Sequence, residues 1–114
     1  MQNAEAWMEA FDAWGARVAQ SKGNWFDLNA GRPVGWPPAK SITLRPTGEE
    51  YALEIAGKFD WGHEAWLAGE GDPASLTPGT WRVRATVSDG VRSFVFDWLV
   101  TNPGRNTLLS ATKA

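Results

Sequence analysis

Cysteine is absent from this chain of 114 residues, and histidine occurs only once. Without cysteine the chain has no disulfide and no thiol nucleophile, and either redox compartment suits it. Any Ser-His-Asp arrangement would depend on His63, the single histidine. No apolar run approaches the roughly 20 residues that a membrane-spanning helix needs, so we expect no membrane partner.

Charge of one sign is also lacking, since 11 basic residues stand against 13 acidic ones and the net charge is -2. A chain this balanced has no basic field for nucleic acid, so we expect no nucleic-acid partner. The first residues, MQNAEAWMEAFDAWG, lack a basic leader followed by an apolar run, and we expect no secretion signal. The length is usual for one domain with one core.

Patterns that carry catalysis are sparse. Residues 60–64 (DWGHE) hold three potential metal ligands, but neighbouring side chains in a strand point to opposite faces. No second histidine or HExxH motif accompanies them, and no P-loop or dinucleotide-binding glycine pattern is present. A carboxylate pair for glycoside cleavage stays open, because a sequence gives no separations. We therefore predict a protein that is not an enzyme and that uses no cofactor and no metal.

Tryptophan is in excess, with eight copies, and two of them lie in residues 80–100 (TWRVRATVSDGVRSFVFDWLV). Apolar and polar residues alternate through this stretch, which predicts two strands, and Asp89-Gly90 favours a two-residue turn between them. Folding at that turn predicts a core face carrying Trp81 and Trp98. The predicted cross-strand pairs are Ala85–Phe94, Val83–Phe96 and Trp81–Trp98 on the core face, and Thr86–Ser93, Arg84–Val95 and Arg82–Asp97 on the other.

Shorter alternating segments predict further strands at Ser41–Arg45 and Tyr51–Ala56, joined by a loop at 47–50. With the hairpin they predict an antiparallel β-sandwich over residues 41–104, with an exposed loop at 69–73. The remaining predictions are an extended Gly/Pro/Trp connector over 24–40, with one strand at Trp25–Leu28, and a flexible tail over 105–114.

The N-terminal segment shows a different spacing. Trp7, Phe11, Trp14 and Val18 fall at i, i+4, i+7 and i+11, which predicts an amphipathic helix over residues 1–23. The predicted fold class is therefore mostly β with an N-terminal α-helix. Left exposed, this stripe would form an apolar patch larger than monomers usually show. The helix would then cover its own sandwich or dock on a neighbouring subunit, and the outward Val95 and Leu99 also suit a cover or partner.

The run Leu76-Thr77-Pro78-Gly79-Thr80-Trp81, then Ser88-Asp89-Gly90, then Val100-Thr101-Asn102-Pro103 resembles the final hairpin of immunoglobulin-like β-sandwich modules. It is similar in particular to small virion proteins of tailed bacteriophages and prophages. The resemblance covers residues 76–104, under a third of the chain. It implies a head–tail, tail or capsid-decorating protein that binds other virion subunits or itself. The location it implies is the virion, or the host cytoplasm during assembly, and it assigns no functional residue.

Two functions follow as hypotheses. The first is a structural assembly protein that binds protein subunits through the stripe of Trp7, Phe11, Trp14 and Val18. The second is a carbohydrate-binding module or adhesin domain. In that case tryptophans outside the hairpin would stack on sugar rings, namely Trp25, Trp36, Trp61 and Trp66. A small inhibitor of an enzyme or host factor is a third possibility, for which the sequence indicates no target.

Overall fold

The computed structural model describes residues 3–23, 25–27, 32–34, 51–53, 56–58, 64–67, 70–71, 75–104 and 109–114. These residues form β-strands and turns, and none of them lies in a helix, so the prediction of a mostly antiparallel β protein is confirmed. The strands are β1 (Glu5–Phe11), β2 (Arg17–Lys22), β3 (Trp25–Asp27), β4 (Arg32–Pro33), β5 (Tyr51–Leu53), β6 (Ala56–Lys58), β7 (Ala65–Leu67), β8 (Glu70–Gly71), β9 (Ser75–Leu76), β10 (Gly79–Ser88), β11 (Ser93–Asn102) and β12 (Ser110–Lys113). None of the described residues forms a helix that could span a membrane.

A six-stranded antiparallel sheet in the order β12-β11-β10-β1-β2-β8 organises the molecule. Its two long central strands come from opposite ends of the chain, since β1 pairs with β10 from Glu5–Ser88 to Phe11–Arg82. On its other side β1 pairs with β2. The N-terminal segment is therefore an internal part of the sheet. Two three-stranded sheets, β4-β3-β5 and β6-β7-β9, complete the described structure.

The helix predicted over residues 1–23 is wrong, because this segment forms the β1–β2 hairpin. Trp7 and Phe11 are four residues apart, an even separation that also places two side chains on one face of a strand. The residues at the alternate positions, Ala6, Met8 and Ala10, have small or flexible side chains and are fully buried. This period of two is a strand signal that the more conspicuous aromatic spacing concealed.

Val18, the last residue of the predicted stripe, lies at an irregularity in the β1–β2 hairpin. Ala10 pairs with Ala19, but Phe11 pairs with Arg17, so Val18 is the extra residue of a β-bulge. It packs against the main core. The bulge therefore separates Val18 from the aromatic residues with which the helical spacing had grouped it.

The β10–β11 hairpin is present, but its predicted register is wrong by two residues. Val83 lies opposite Trp98, and Arg84, rather than Arg82, lies opposite Asp97. The connection is a four-residue loop, in which the Asp89 carboxylate accepts the N–H groups of Val91 at 2.9 Å and Arg92 at 2.7 Å. A slip of two residues leaves every side chain on its predicted face, so alternation alone could not detect it. Trp81 and Trp98 are half-buried against the core.

Three predictions for connecting segments need correction. The strand predicted over Tyr51–Ala56 is divided between β5 and β6. Within the predicted exposed loop at 69–73, Glu70–Gly71 pairs with β2 as strand β8. The predicted flexible tail contains β12, which pairs with β11. Inside the predicted connector, the strand expected at Trp25–Leu28 is confirmed over Trp25–Asp27, and the predictions for 41–45 and 47–50 lie outside the described residues.

The core lies on one face of the six-stranded sheet. Met8 and Val83 from its centre meet Leu67 of β7 and Leu76 of β9, so the small β6-β7-β9 sheet covers the large one. This gives a sandwich-like arrangement of two β layers. A buried polar side chain ties the layers together, because Asn102 donates its Nδ2–H to the Leu76 carbonyl at 2.8 Å. The main cluster comprises Met8, Ala10, Ala19, Ala65, Leu67, Leu76, Val83, Ala85 and Val100, and a second one comprises Ala4, Ala6, Trp25 and Val87.

Candidate protein-binding face

The face of the six-stranded sheet that points away from the core, here called the outer face, carries charged and aromatic side chains. Strand alternation places them in cross-strand rows. One row at the end near the β1–β2 turn runs from Phe11 through Arg82 to Leu99, and the next runs from Glu9 through Arg84 to Asp97. The outer face includes Glu5, Trp7, Glu9, Phe11, Arg17, Gln20, Lys22, Arg82, Arg84, Thr86, Val95, Asp97 and Leu99.

Opposite charges on the outer face are paired across neighbouring strands. The pairs are Glu5–Lys22 at 3.3 Å, Glu9–Arg17 at 3.3 Å and Arg84–Asp97 at 2.9 Å. The Lys22 ammonium also lies 5.3 Å from the centre of the Trp7 ring, within range of a cation–π contact. Exposed pairs of this kind contribute little to stability, but they leave little net charge on this surface.

Arg84 is held in place from two sides. Its Nε and Nη2 donate to the two oxygens of Asp97, at 2.9 and 3.4 Å, and its guanidinium lies 5.6 Å from the centre of the Phe11 ring. The hydrogen bond from Arg84, followed by the positive charges of Arg84 and Arg82, lowers the pKa of Asp97 against the opposing effect of burial. The same hydrogen bond raises the pKa of Arg84. Arg84 therefore serves its own sheet and is not available to a ligand.

Arg82 is different from its neighbour. It is exposed and lies between the two apolar side chains of its row, Phe11 and Leu99. Within the part of the chain that the structure describes, no carboxylate forms an ion pair with it. Its guanidinium therefore lies between two apolar side chains with no ion-pair partner among the described residues, a position suited to an incoming carboxylate or aromatic ring.

A groove of about 610 Å³ opens beside Arg82, between the β1–β2 turn and strands β10 and β11. Trp14 stands at its rim with 92% of its surface exposed. The lining residues are Phe11, Asp12, Ala13, Trp14, Gly15, Thr80, Arg82, Arg84 and Leu99. Tryptophan and arginine, both present in this lining, are enriched among the residues that dominate binding energy at protein interfaces.

The turn that carries Trp14 is built around Asp12. One carboxylate oxygen of Asp12 accepts the N–H groups of Trp14 and Ala16, both at 2.9 Å. The backbone of Asp12 exchanges two further bonds, donating to the Ala16 carbonyl at 3.0 Å and accepting from Gly15 at 3.1 Å. Gly15 takes a φ of +82°, which other residues adopt only with strain. These bonds fix the backbone beneath the exposed indole.

Of the four residues predicted for partner binding, the structure brings Phe11 and Trp14 together in the lining of the groove, and Trp7 lies outside it. Trp7 and Phe11 lie on the outer face, and Trp14 lies on the turn at its end. Val18 packs against the core instead. Sequence reasoning missed Arg82 as a free cation, because the shifted register had paired it with Asp97.

The structure does not bring together the tryptophans of the carbohydrate hypothesis. Trp25 is buried in the second core cluster, and its Nε1 has no hydrogen-bond acceptor among the described residues. Trp66 is partly exposed on β7, in a different sheet. Trp36, Trp61 and the single histidine, His63, lie outside the described residues. Among the described side chains, no three acidic or histidine groups converge as a metal site would require.

No protein-family model, curated protein or solved structure matches the chain.

Proposed function

We propose that this protein is a non-enzymatic assembly protein that binds a protein partner through the outer face and its groove. The observation that carries the proposal is Trp14, an almost fully exposed indole on a hydrogen-bonded turn, next to the free Arg82 and the apolar Phe11 and Leu99. Tryptophan and arginine are the residues most enriched where truncation weakens protein complexes most.

The geometry favours tight binding of a partner through a small surface. Because the turn around Asp12 is already ordered, binding would immobilise little besides the indole itself, and ordering costs are what most reduce affinity. The ion pairs on the outer face would form a polar rim around the groove, where charges contribute little energy but keep the surface compatible with water.

The narrower form of the proposal is a subunit of a bacteriophage particle with an immunoglobulin-like sandwich. It is supported by the resemblance of residues 76–104 to the last hairpin of such virion proteins. The sandwich-like packing of the two β layers agrees with it at the level of architecture. The partner would then be another virion protein or a further copy of this chain.

The test compares three single variants in affinity purification from the cells or particles that contain the protein. Trp14→Ala and Arg82→Ala each remove one side chain of the groove. Val91→Ala is the control, because Val91 is equally exposed but lies on the β10–β11 loop at the opposite end of the sheet. We expect both groove variants to retain at least tenfold less of the same partner than the wild type and the control. Equal retention by all four proteins would contradict the proposal.

A carbohydrate ligand is the second candidate, favoured by the polar residues Thr80 and Arg82, which line the same groove as Trp14. A sugar needs an aromatic plane together with a few polar groups that fix its orientation. The difference in fluorescence between the wild type and Trp14→Ala isolates this indole from the other seven tryptophans. A glycan that changes this difference signal, together with no protein partner, would replace the first proposal by the second.

A further inference from the structure

Strand β11 is covered along only part of its length. Strand β12 pairs with it from Trp98 to Thr101, and the N–H of Ala114 reaches the carbonyl of Asp97 at 3.0 Å. Beyond that point, at Ser93–Phe96, no described residue pairs with β11 on the side away from β10. Within the described part of the chain, this segment of four residues, here called the open edge, is therefore an edge of the sheet.

The backbone of the open edge presents hydrogen-bonding groups outward. In an antiparallel strand the N–H and C=O of one residue point to the same side, and successive residues alternate. The Asp97 carbonyl points toward β12, whereas the Arg92 carbonyl points inward and accepts from Asp89 at 3.2 Å. The alternation between them directs the N–H and C=O of Ser93 and Val95 to the open side. Two donors and two acceptors thus line the open edge.

Three of the four side chains of the open edge are apolar, and they are exposed on both faces of the sheet. Phe94 and Phe96 are 51% and 42% exposed on the core-side face, and Val95 is 55% exposed on the outer face. Edge strands are normally protected by lysine, proline, a bulge or a covering segment. Ser93–Phe96 contains no lysine, proline or bulge, and no described segment covers it. An unprotected apolar edge is a template for strand addition.

We infer that the open edge pairs with the open edge of a second copy of this chain, antiparallel and about a two-fold axis at Phe94. In this register Ser93 of one copy lies opposite Val95 of the other, so the outward groups exchange four backbone hydrogen bonds. The two Phe94 side chains lie face to face at the axis, as a cross-strand aromatic pair. Each Phe96 lies opposite Arg92 of the other copy, and no like charges are opposed. In this register the open edge is complementary to itself, so a two-fold axis gives each set of contacts twice. This self-complementarity favours a second copy of the chain over a strand of another protein.

The neighbouring strand selects this register. An axis at Val95 would place Ser93 opposite Asp97, whose carbonyl already accepts the N–H of Ala114. It would also bring β12 of each copy next to the pairing. With the axis at Phe94, the four hydrogen bonds use only the outward N–H and C=O groups of Ser93 and Val95. Strand β12 of each copy then lies beyond the end of the added strand. Because four residues bury little area, we expect a weak dimer that forms with rising concentration.

The open edge and the lining of the groove share no residue, so this inference does not depend on the proposed use of the groove. Groove variants such as Trp14→Ala should dimerise normally, and variants of the open edge should still bind the groove partner. Failure of one idea is thereby distinguishable from failure of the other.

The first experiment is oxidative cross-linking of Phe94→Cys, which is feasible because the chain has no native cysteine. Directly opposite residues of a non-hydrogen-bonded pair have Cα atoms about 4.5 Å apart, within disulfide range. Val91→Cys is the control, since Val91 is highly exposed but lies outside the pairing. We expect Phe94→Cys to form covalent dimer at least tenfold faster than the control. Equal rates would overturn the inference.

The second experiment measures solution mass by sedimentation over a wide concentration range. Val95→Pro removes an outward N–H while the bonds of Phe94 and Phe96 to β10 remain, and proline is tolerated at such edge positions. Val95→Thr keeps the N–H and is the matched control. We expect the dissociation constant to rise at least tenfold for Val95→Pro and to change less than threefold for Val95→Thr. A wild type that stays monomeric at every concentration would refute the dimer.

A third experiment introduces charges of either sign at Phe94 and measures association, and it does not depend on the folding of the proline variant. Phe94→Lys and Phe94→Glu each place like charges at the two-fold axis, so each protein alone should be monomeric. Mixed in equal amounts, they should form a heterodimer, because opposite charges then face each other. Homodimers of either variant, or no association in the mixture, would count against an axis at Phe94.

Discussion

Asp97 has the most strongly defined electrostatic surroundings of the outer-face carboxylates. The hydrogen bond from Arg84 is the main cause of its lowered pKa, the charges of Arg84 and Arg82 add to it, and partial burial opposes it. The folded-state pKa therefore lies below the unfolded value of about 3.9. The contribution of this pair to stability is present above the unfolded pKa and is lost as the pH falls through the folded pKa.

Asp97→Asn should therefore make the free energy of unfolding less sensitive to acid. Urea titrations between pH 7 and pH 2 would measure it, and the wild type should lose more stability below about pH 4 than the variant. Some sensitivity should remain, because N–H groups of Arg92 and Val91 lower the pKa of Asp89 as well. Arg84→Gln removes the other partner of the ion pair, so its pH profile should resemble that of Asp97→Asn. Identical pH profiles for all three proteins would show that the pair is not populated in solution.

At the scale of elements, the observed β1–β2 hairpin and the predicted helix lead to opposite expectations for the effects of mutating Met8 and Trp14. A helix would have buried Trp14 and left Met8 beside the apolar stripe. As a strand, β1 buries Met8 completely, and the turn leaves Trp14 exposed. Met8→Ala should therefore cost about 2–5 kcal/mol of unfolding free energy, as large-to-small changes in cores do. Trp14→Ala should cost less than about 0.5 kcal/mol. Denaturant unfolding monitored by circular dichroism would measure both, and the reverse order would support the helix.

Local sequence patterns predicted the elements that pair with their neighbours in the chain. Alternation located both strands of the β10–β11 hairpin and their core face, but a two-residue slip preserves alternation, so the pairing of Arg84 with Asp97 was missed. The Asp89 carboxylate, which supports the wider loop, was the available signal. The helix prediction failed because an i, i+4 spacing fits both a helix and a strand face. The groove could not be predicted, since it combines the β1–β2 turn with strands β10 and β11 from the last third of the chain, which no local pattern links to it.

At the scale of the whole molecule, the sheet is held together by its least local pairing. Strand β1 lies between β10 and β2, and its first residue, Glu5, is opposite Ser88. Residues 5–11 must therefore meet residues 82–88 before the central sheet exists. Proteins dominated by such long-range pairing fold in milliseconds to seconds, more slowly than helical proteins of similar size. The same topology places the most stable backbone at the centre of the sheet and the least stable at its edges.

Amide hydrogen exchange should reveal this gradient residue by residue. Amides of the two central strands, such as those of Met8 and Ala85, should exchange only through global unfolding, because each of these strands has a neighbour on both sides. Along β11 the protection should alternate. The N–H of Phe94 points to β10 and should be protected, whereas that of Val95 points to the open edge and should exchange rapidly in dilute protein.

Raising the protein concentration should then protect Val95 selectively, because the inferred dimer uses this N–H as a donor. Amides whose bonds lie within one copy, such as that of Phe94, serve as internal controls and should not change. Equal protection of Val95 and Phe94 in dilute protein would mean that the edge is closed within one copy. The measurement thus tests the sheet order, the direction of the β11 backbone and the open edge in a single spectrum.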